Sequence, residues 1–278
     1  MKVKHTAAWV GITAAATLTV SACGADGAKT AAKAVDNADK IMAVLSRATD
    51  RTEQLGSAEV KVSTDLGTGT PIAMDGTYSW GDGLAFDAEM DTAAARLQQL
   101  QDSPKTRVLF VDGAYYYDID PQPAGPLKGK EWMRIDSSAI FGDKGSQAFS
   151  GGGGGNPAAA MRGLKYADNV KDLGRETVDG QGTTHYRAVV DKAHMGKFKD
   201  AYGGDNLMSS VTGGADSMTM DIWVGSKDLP VRLKQVIGTV KVTMDFRKFG
   251  ATSPVKAPPA AQTGDLTEQV KKAQEQQG

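Results

Sequence analysis

"TVKVTMDFR", residues 239–247, alternates without a break: Val240, Val242, Met244 and Phe246 fall on one side, and Lys241, Thr243, Asp245 and Arg247 on the other. A segment with that period is a strand with one buried and one wet face. The same pattern recurs in "LAFDAEMD" (Leu84, Phe86, Ala88, Met90 inward), "SMTMDIWV" (Met218, Met220, Ile222, Val224), "IAMDGTYSW" (Ile72, Met74, Tyr78, Trp80) and "AEVKVSTDL" (Ala58, Val60, Val62, Leu66). Shorter strands are read at "TRVLFVD", "AYYYDI", "EWMRID" and "THYRAVVD". Strands wet on one side pair antiparallel, because parallel sheets are covered on both. Asp82-Gly83, Asp112-Gly113, Asp179-Gly180 and the stretch "GSKDLP" supply the turns of a meander. About ten strands with one apolar face must curl to cover it. The expected fold class is therefore α+β: a strongly curved antiparallel β-sheet, a half-barrel, with a few helices covering the concave face.

The helices are read from periodicity and caps. "NADKIMAVLSRATDRTEQL" carries Ile41, Leu45, Ala48 and Leu55 on one stripe, with Asp36 or Asn37 as N-cap. "TAAARLQQLQDS" and "KAHMGKFKDAYG" read as short helices, and Pro157 opens a helical turn in "NPAAAMRGLKY". "SGGGGGN" (150–156) is a loop; after Gly250 an extended Pro-rich linker leads to a polar Gln-rich tail. Four segments result: 1–22, 23–35, the domain 36–250, and the linker and tail 251–278.

The first two segments have their own logic. Lys2 and Lys4, an apolar run from Ala7 to Val20 and the small residues Ser21 and Ala22 have the layout of an export signal, and the run is too short to span a membrane comfortably. The only cysteine, Cys23, follows Val20-Ser21-Ala22, the arrangement of a bacterial lipobox, so Cys23 is expected to carry a diacylglyceryl group and to become the first residue. "GADGAKTAAKA" then reads as a flexible tether. Two acyl chains suffice for durable anchoring. The expected localisation is the extracytoplasmic face of the cell membrane, lipid-anchored, and the expected state is monomeric.

Composition and motifs exclude much. Removing residues 1–22 leaves a net charge near −3, without the basic surplus of a nucleic-acid binder. The five glycines 151–155 lack the Gly-Lys-Ser/Thr of a phosphate loop. His185 and His194 stand in no metal-ligand spacing; His185 alternates toward solvent and reads as an ordinary surface histidine. Asp87, Glu89 and Asp91 form a solvated strand face. No catalytic residue, metal or cofactor is assigned, and the chain is expected not to be an enzyme.

What remains is the inward face, where methionine recurs at Met74, Met90, Met218, Met220 and Met244. Methionine adapts to variable apolar shapes and also fills gaps in an irregular core, and both readings stay open. The expected cavity lining is Met74, Tyr78, Phe86, Met90, Met218, Met220, Ile222, Val242 and Met244.

The lipobox at Cys23, the leading helix with "LGSAEVKVS", the segment "VKDLGRETVDGQGTTHYRAVVD" and the hairpin "MDIWVGSKDLPVRLKQ" together resemble the LppX/LprF/LprG-type lipoproteins of actinobacteria, relatives in fold of LolA and LolB. The likeness covers roughly residues 36–250. It implies an antiparallel half-barrel whose helix-roofed concave side takes acyl chains of envelope lipids. The long Gly-rich loop and the tail depart from the pattern, and the ligand does not carry over. The expectation is an anchored protein that binds or carries acyl-chain lipids or lipidated molecules. The alternative is an envelope interaction or sensor lipoprotein with a filled core.

Overall fold

Residues 240–247 form a strand with an antiparallel partner on each side, as one apolar and one charged face require. The computed structural model describes residues 25–67, 70–150, 156–167, 169–201, 215–250 and 252–276. Its strands are β1 (Ser57–Asp65), β2 (Ile72–Ser79), β3 (Ala85–Asp91), β4 (Lys105–Val111), β5 (Ala114–Asp118), β6 (Trp132–Asp136), β7 (Asn169–Val178), β8 (Gln181–Val190), β9 (Met218–Val224), β10 (Pro230–Ile237), β11 (Val240–Arg247) and β12 (Thr263–Asp265). They make one curved, unclosed sheet in the order β12-β6-β5-β4-β3-β2-β1-β11-β10-β9-β8-β7. Ten of its pairings are antiparallel; β12 lies parallel to β6, which corrects the all-antiparallel expectation at one edge.

The helices are α1 (Ala25–Leu55), α2 (Ser138–Ser150), α3 (Pro157–Arg162), α4 (Lys192–Ala201) and α5 (Thr267–Glu275). The chain divides into Met1–Asn37 and Ala38–Gly278. Of the first unit the described residues are the beginning of α1, so residues 25–35 are helical where a flexible tether was expected; their Ala and Lys content favours helix. Cys23, residues 1–22 and the glycines 151–155 lie outside the described residues. Within the second unit, Ile41, Leu45 and Ala48 of α1 join the main core, and the Trp80 indole donates to the Thr52 carbonyl at 3.0 Å.

Two segments depart from their sequence reading for visible reasons. Residues 92–103 form turns instead of a helix, because the Asp91 carboxylate accepts from the N–H groups of Ala93 and Ala94 and Thr92 N–H bonds to the Pro104 carbonyl. The turns drop Leu97 into a satellite core with Ile119, Leu127 and Met133. The tail is not free: β12 docks on β6, Arg134 pairs with Asp265 at 2.6 Å, and the Asp136 N–H donates to the Thr267 hydroxyl at 3.0 Å. The folded domain thus extends past Gly250 to α5. Gly264 has no side chain because a Cβ there would lie 2.7 Å from Leu127 Cδ2. The other edge, β7, is exposed almost throughout, and is protected from further pairing by a bulge at Asp172/Gly174 and by Lys171, Arg175 and Glu176.

Candidate functional site

The register places every sequence-derived lining residue on one face. Across the sheet run the rows Met90–Met74–Val62–Met244–Leu233–Ile222–Tyr186 and Phe110–Phe86–Tyr78–Ala58. Val242 and Met220 meet at Gln235, and Met218 faces Ile237. Above this face lie α1, α3, the 3-10 turn Gly163–Tyr166 and Met195 of α4, which contribute Leu45, Met161 and Leu164 to the same cluster. α3 is fixed at its start by the Asn156 side chain, which accepts from the N–H of Ala158 at 2.8 Å.

Burial separates the nine residues into two groups. Met218, Met220 and Ile222 keep 1%, 0% and 1% of their surface, and Tyr78, Phe86 and Met90 are also buried. A side chain with no surface left for a water-sized sphere touches protein on all sides, so none of the first three borders an open space. Met74, Val242 and Met244 are only partly buried, as is Ile72. These four flank β1: Ile72 and Val242 both pair with Thr64, and Met74 and Met244 with Val62. The accessible part of the apolar face is therefore a patch where β1 ends and β2 begins. Two clefts, of about 600 and 370 Å³, are lined by none of the nine.

Phe110, Tyr115 and Tyr117 also line the face and escaped the sequence reading. In β4 and β5 both sides are buried, with Leu109, Val111 and Tyr116 packed with Val255 on the outer side, so the period-two signal is blurred. Tyr115 stacks on Tyr117 at 6.1 Å and Phe86 on Tyr78 at 5.0 Å. Burial pushes the phenols of Tyr78 and Tyr115 up, and that of Tyr117 to about 12. All three stay neutral at physiological pH, which keeps the face uncharged.

A pH dependence follows. The folded state favours protonated Tyr117, so its contribution is complete below the ordinary value of 10.0 and is lost as pH rises through about 12. Two pKa units correspond to roughly 2.7 kcal/mol. The urea midpoint should fall between about pH 10 and 12, and Tyr117→Phe should flatten that fall; equal slopes in the two proteins would refute the assignment.

The outer face holds one buried polar cluster. His185, expected to be exposed, is 6% exposed. Its Nε2 lies 2.8 Å from Asp221 Oδ1 and its Nδ1 2.8 Å from Glu176 Oε1, and the ring stacks on Trp223 at 4.1 Å. Arg187 Nε donates to Asp221 at 2.7 Å. The Trp223 indole, and after it His185, hold the Glu176 carboxyl below the usual carboxylate range. These bonds tie β7, β8 and β9 together on the side away from the apolar face. Among the described residues no group of three His, Cys, Asp or Glu could hold a metal ion, and no helix is long and apolar enough to cross a membrane.

Comparison with known proteins gives distant relatives. No family model matches. A 31.2 kDa protein of Streptomyces griseus, encoded between rplA and rplJ, is 25% identical over 245 residues, 83% of this chain and 80% of the relative. A candidate lipoprotein of Streptomyces coelicolor is 26% identical over 235 residues, covering 81% and 73%. Among solved structures, LprF of Mycobacterium bovis has a TM-score of 0.49 at 15% identity, over 80% of this chain and 98% of that one. LppX of Mycobacterium tuberculosis has the same score and identity, over 78% and 99%. The chain is similar to LprF and LppX. Both belong to the group that its sequence resembles.

Proposed function

We propose that this protein is a lipoprotein anchored through Cys23 at the extracytoplasmic face of the cell membrane, and that its helix-covered face takes up acyl chains of lipids or lipidated molecules without catalysing a reaction. The observation that carries the reading is the accessible patch of Ile72, Met74, Val242 and Met244, continuous with a methionine-rich core. Methionine repacks at low cost, so a chain seated on the patch can displace neighbouring side chains and bury itself further. Each buried methylene contributes about 0.8 kcal/mol, enough for affinity without polar readout. The lipobox and the relative named as a candidate lipoprotein support the anchor.

A second reading has its own observation. Met218, Met220 and Ile222 have no free surface, as in a core that is simply filled. An acylglycerol with a pyrene-labelled chain separates the two. The carrier reading expects saturable uptake, reduced about tenfold in Met74→Lys/Met244→Lys, a loss of roughly 1.4 kcal/mol. Absence of uptake by the folded protein would leave the interaction module.

A further inference from the structure

At the end of the sheet where α1 stops, a cleft of about 370 Å³ opens between Arg51 and Leu55 of α1, the β9–β10 turn and the end of β11. Its floor is apolar, with Leu55, Leu229, Val231 and Phe249. Phe249 stacks on Phe246 at 5.5 Å and meets Trp80 edge-on at 6.5 Å, so the floor is fixed to the main core. The charged lining residues are Arg51, Lys227, Arg247 and Lys248, all cationic.

Two of the four are already neutralised. Arg247 pairs with Asp75, and Lys248 with Glu59 at 2.8 Å. The nearby Asp228 is taken by Arg47 at 3.0 Å. Among the described residues neither Arg51 nor Lys227 meets a carboxylate; the Arg51 guanidinium reaches only the Gln54 amide oxygen, at 3.5 Å. The backbone here is held in a costly conformation as well. Lys227, Asp228 and Lys248 have φ of 65°, 53° and 41°, the left-handed region that residues with a Cβ avoid, and two of the three line the cleft. A strained turn that keeps uncompensated cations over an apolar floor is organised for a ligand with both characters.

We infer that this cleft binds the anionic head and first methylenes of an amphiphile, a lipid phosphate or carboxylate. A free inorganic anion would be matched by the cations but not by Phe249, Leu229 and Val231. A neutral lipid would be matched by the floor but not by Arg51 and Lys227. The site is distinct from the Met74/Met244 patch and does not depend on acyl uptake there.

Three probes test it on the full chain carrying Cys23→Ala, by titration calorimetry below the micelle concentrations: dodecyl phosphate, inorganic phosphate and dodecyl maltoside. Dodecyl phosphate should bind at least about tenfold more tightly than either of the others and weaken as salt is added. Arg51→Gln/Lys227→Gln should bring it down to the level of the maltoside, with thermal unfolding unchanged because both side chains lack structural partners. Equal binding of the two dodecyl probes, or an unchanged double variant, overturns the inference. Inorganic phosphate binding as tightly as dodecyl phosphate overturns it too, in favour of a simple anion site. Met74→Lys/Met244→Lys should leave dodecyl phosphate binding intact, so failure here and failure of acyl uptake are read separately.

Discussion

Cys23→Ala should transfer the protein from the membrane fraction to the soluble fraction. The size of the expected effect comes from the chemistry of the anchor: each methylene of a buried acyl chain contributes about 0.8 kcal/mol, and one chain binds only marginally where two hold durably. Without the thiol no diacylglyceryl group can be attached, and among the described residues no helix is long and apolar enough to substitute. An uncleaved export signal could hold the variant by its own apolar run. The decisive companion is therefore a chain whose residues 1–23 are replaced by an ordinary secretory signal, which should be released completely. Mass spectrometry of the wild-type N-terminal peptide should show the diacylglyceryl addition on Cys23. A released chain that returns to membranes, or an unmodified Cys23 in the native protein, would remove the anchor from the proposal.

The sheet was legible because its strands keep one face wet. β1, β3, β9 and β11 alternate almost residue by residue, and pairing then puts Val62, Met74, Met90 and Met244 in one row with no further information needed. Legibility fails where that assumption fails. β4 and β5 are covered on both sides, by the core and by the returning segment at Val255, so Phe110, Tyr115 and Tyr117 carried no alternating signal. The tail was misread for a related reason: residues 263–275 are polar, and they hold to β6 through Arg134–Asp265 and Thr267, contacts between residues more than 130 positions apart that no local pattern reveals. His185 does point to the outer face, as its strand period requires, but Trp223, Glu176 and Asp221 enclose it there. Alternation reports a face; only tertiary structure reports what covers that face. The same limit applies to the cavity. Composition identified the apolar face correctly, yet Met220 and Met74 sit on it with opposite access to the outside, and the difference arises from where α1, α3 and the loops lie.

Gly76→Val should prevent stable folding, and Gly76→Ala should lower the melting temperature sharply. Gly76 sits in the middle of β2, opposite Val60 on one side and Ala88 on the other. A Cβ there would lie 2.2 Å from the Asp87 carbonyl oxygen and 2.5 Å from Ala88 Cα, both backbone atoms that no side-chain rotation can move aside. Relief requires β2 and β3 to separate, which breaks the register that stacks Tyr78 on Phe86 and sets Met74 beside Met90. Overpacking of this kind costs about 3 kcal/mol or more, a large share of the ~5–15 kcal/mol that holds a typical domain. Gly182→Ala is the matched control: it also lies within a strand, nothing approaches its added Cβ within 4 Å, and its stability should change by less than about 0.5 kcal/mol. The physical claim is that the sheet bends inward at this point. The row Val60–Gly76–Ala88–Val108 is small, and it runs between rows of bulky side chains, Met74 with Met90 on one side and Tyr78 with Phe86 and Phe110 on the other. A sheet can fold toward its own apolar face only where the residues on the inside of the fold take little space, and Gly76 takes least. If Gly76→Ala melted within a few degrees of the native protein, the two strands would have to lie farther apart than this, and the curvature of the covered face would need a different origin.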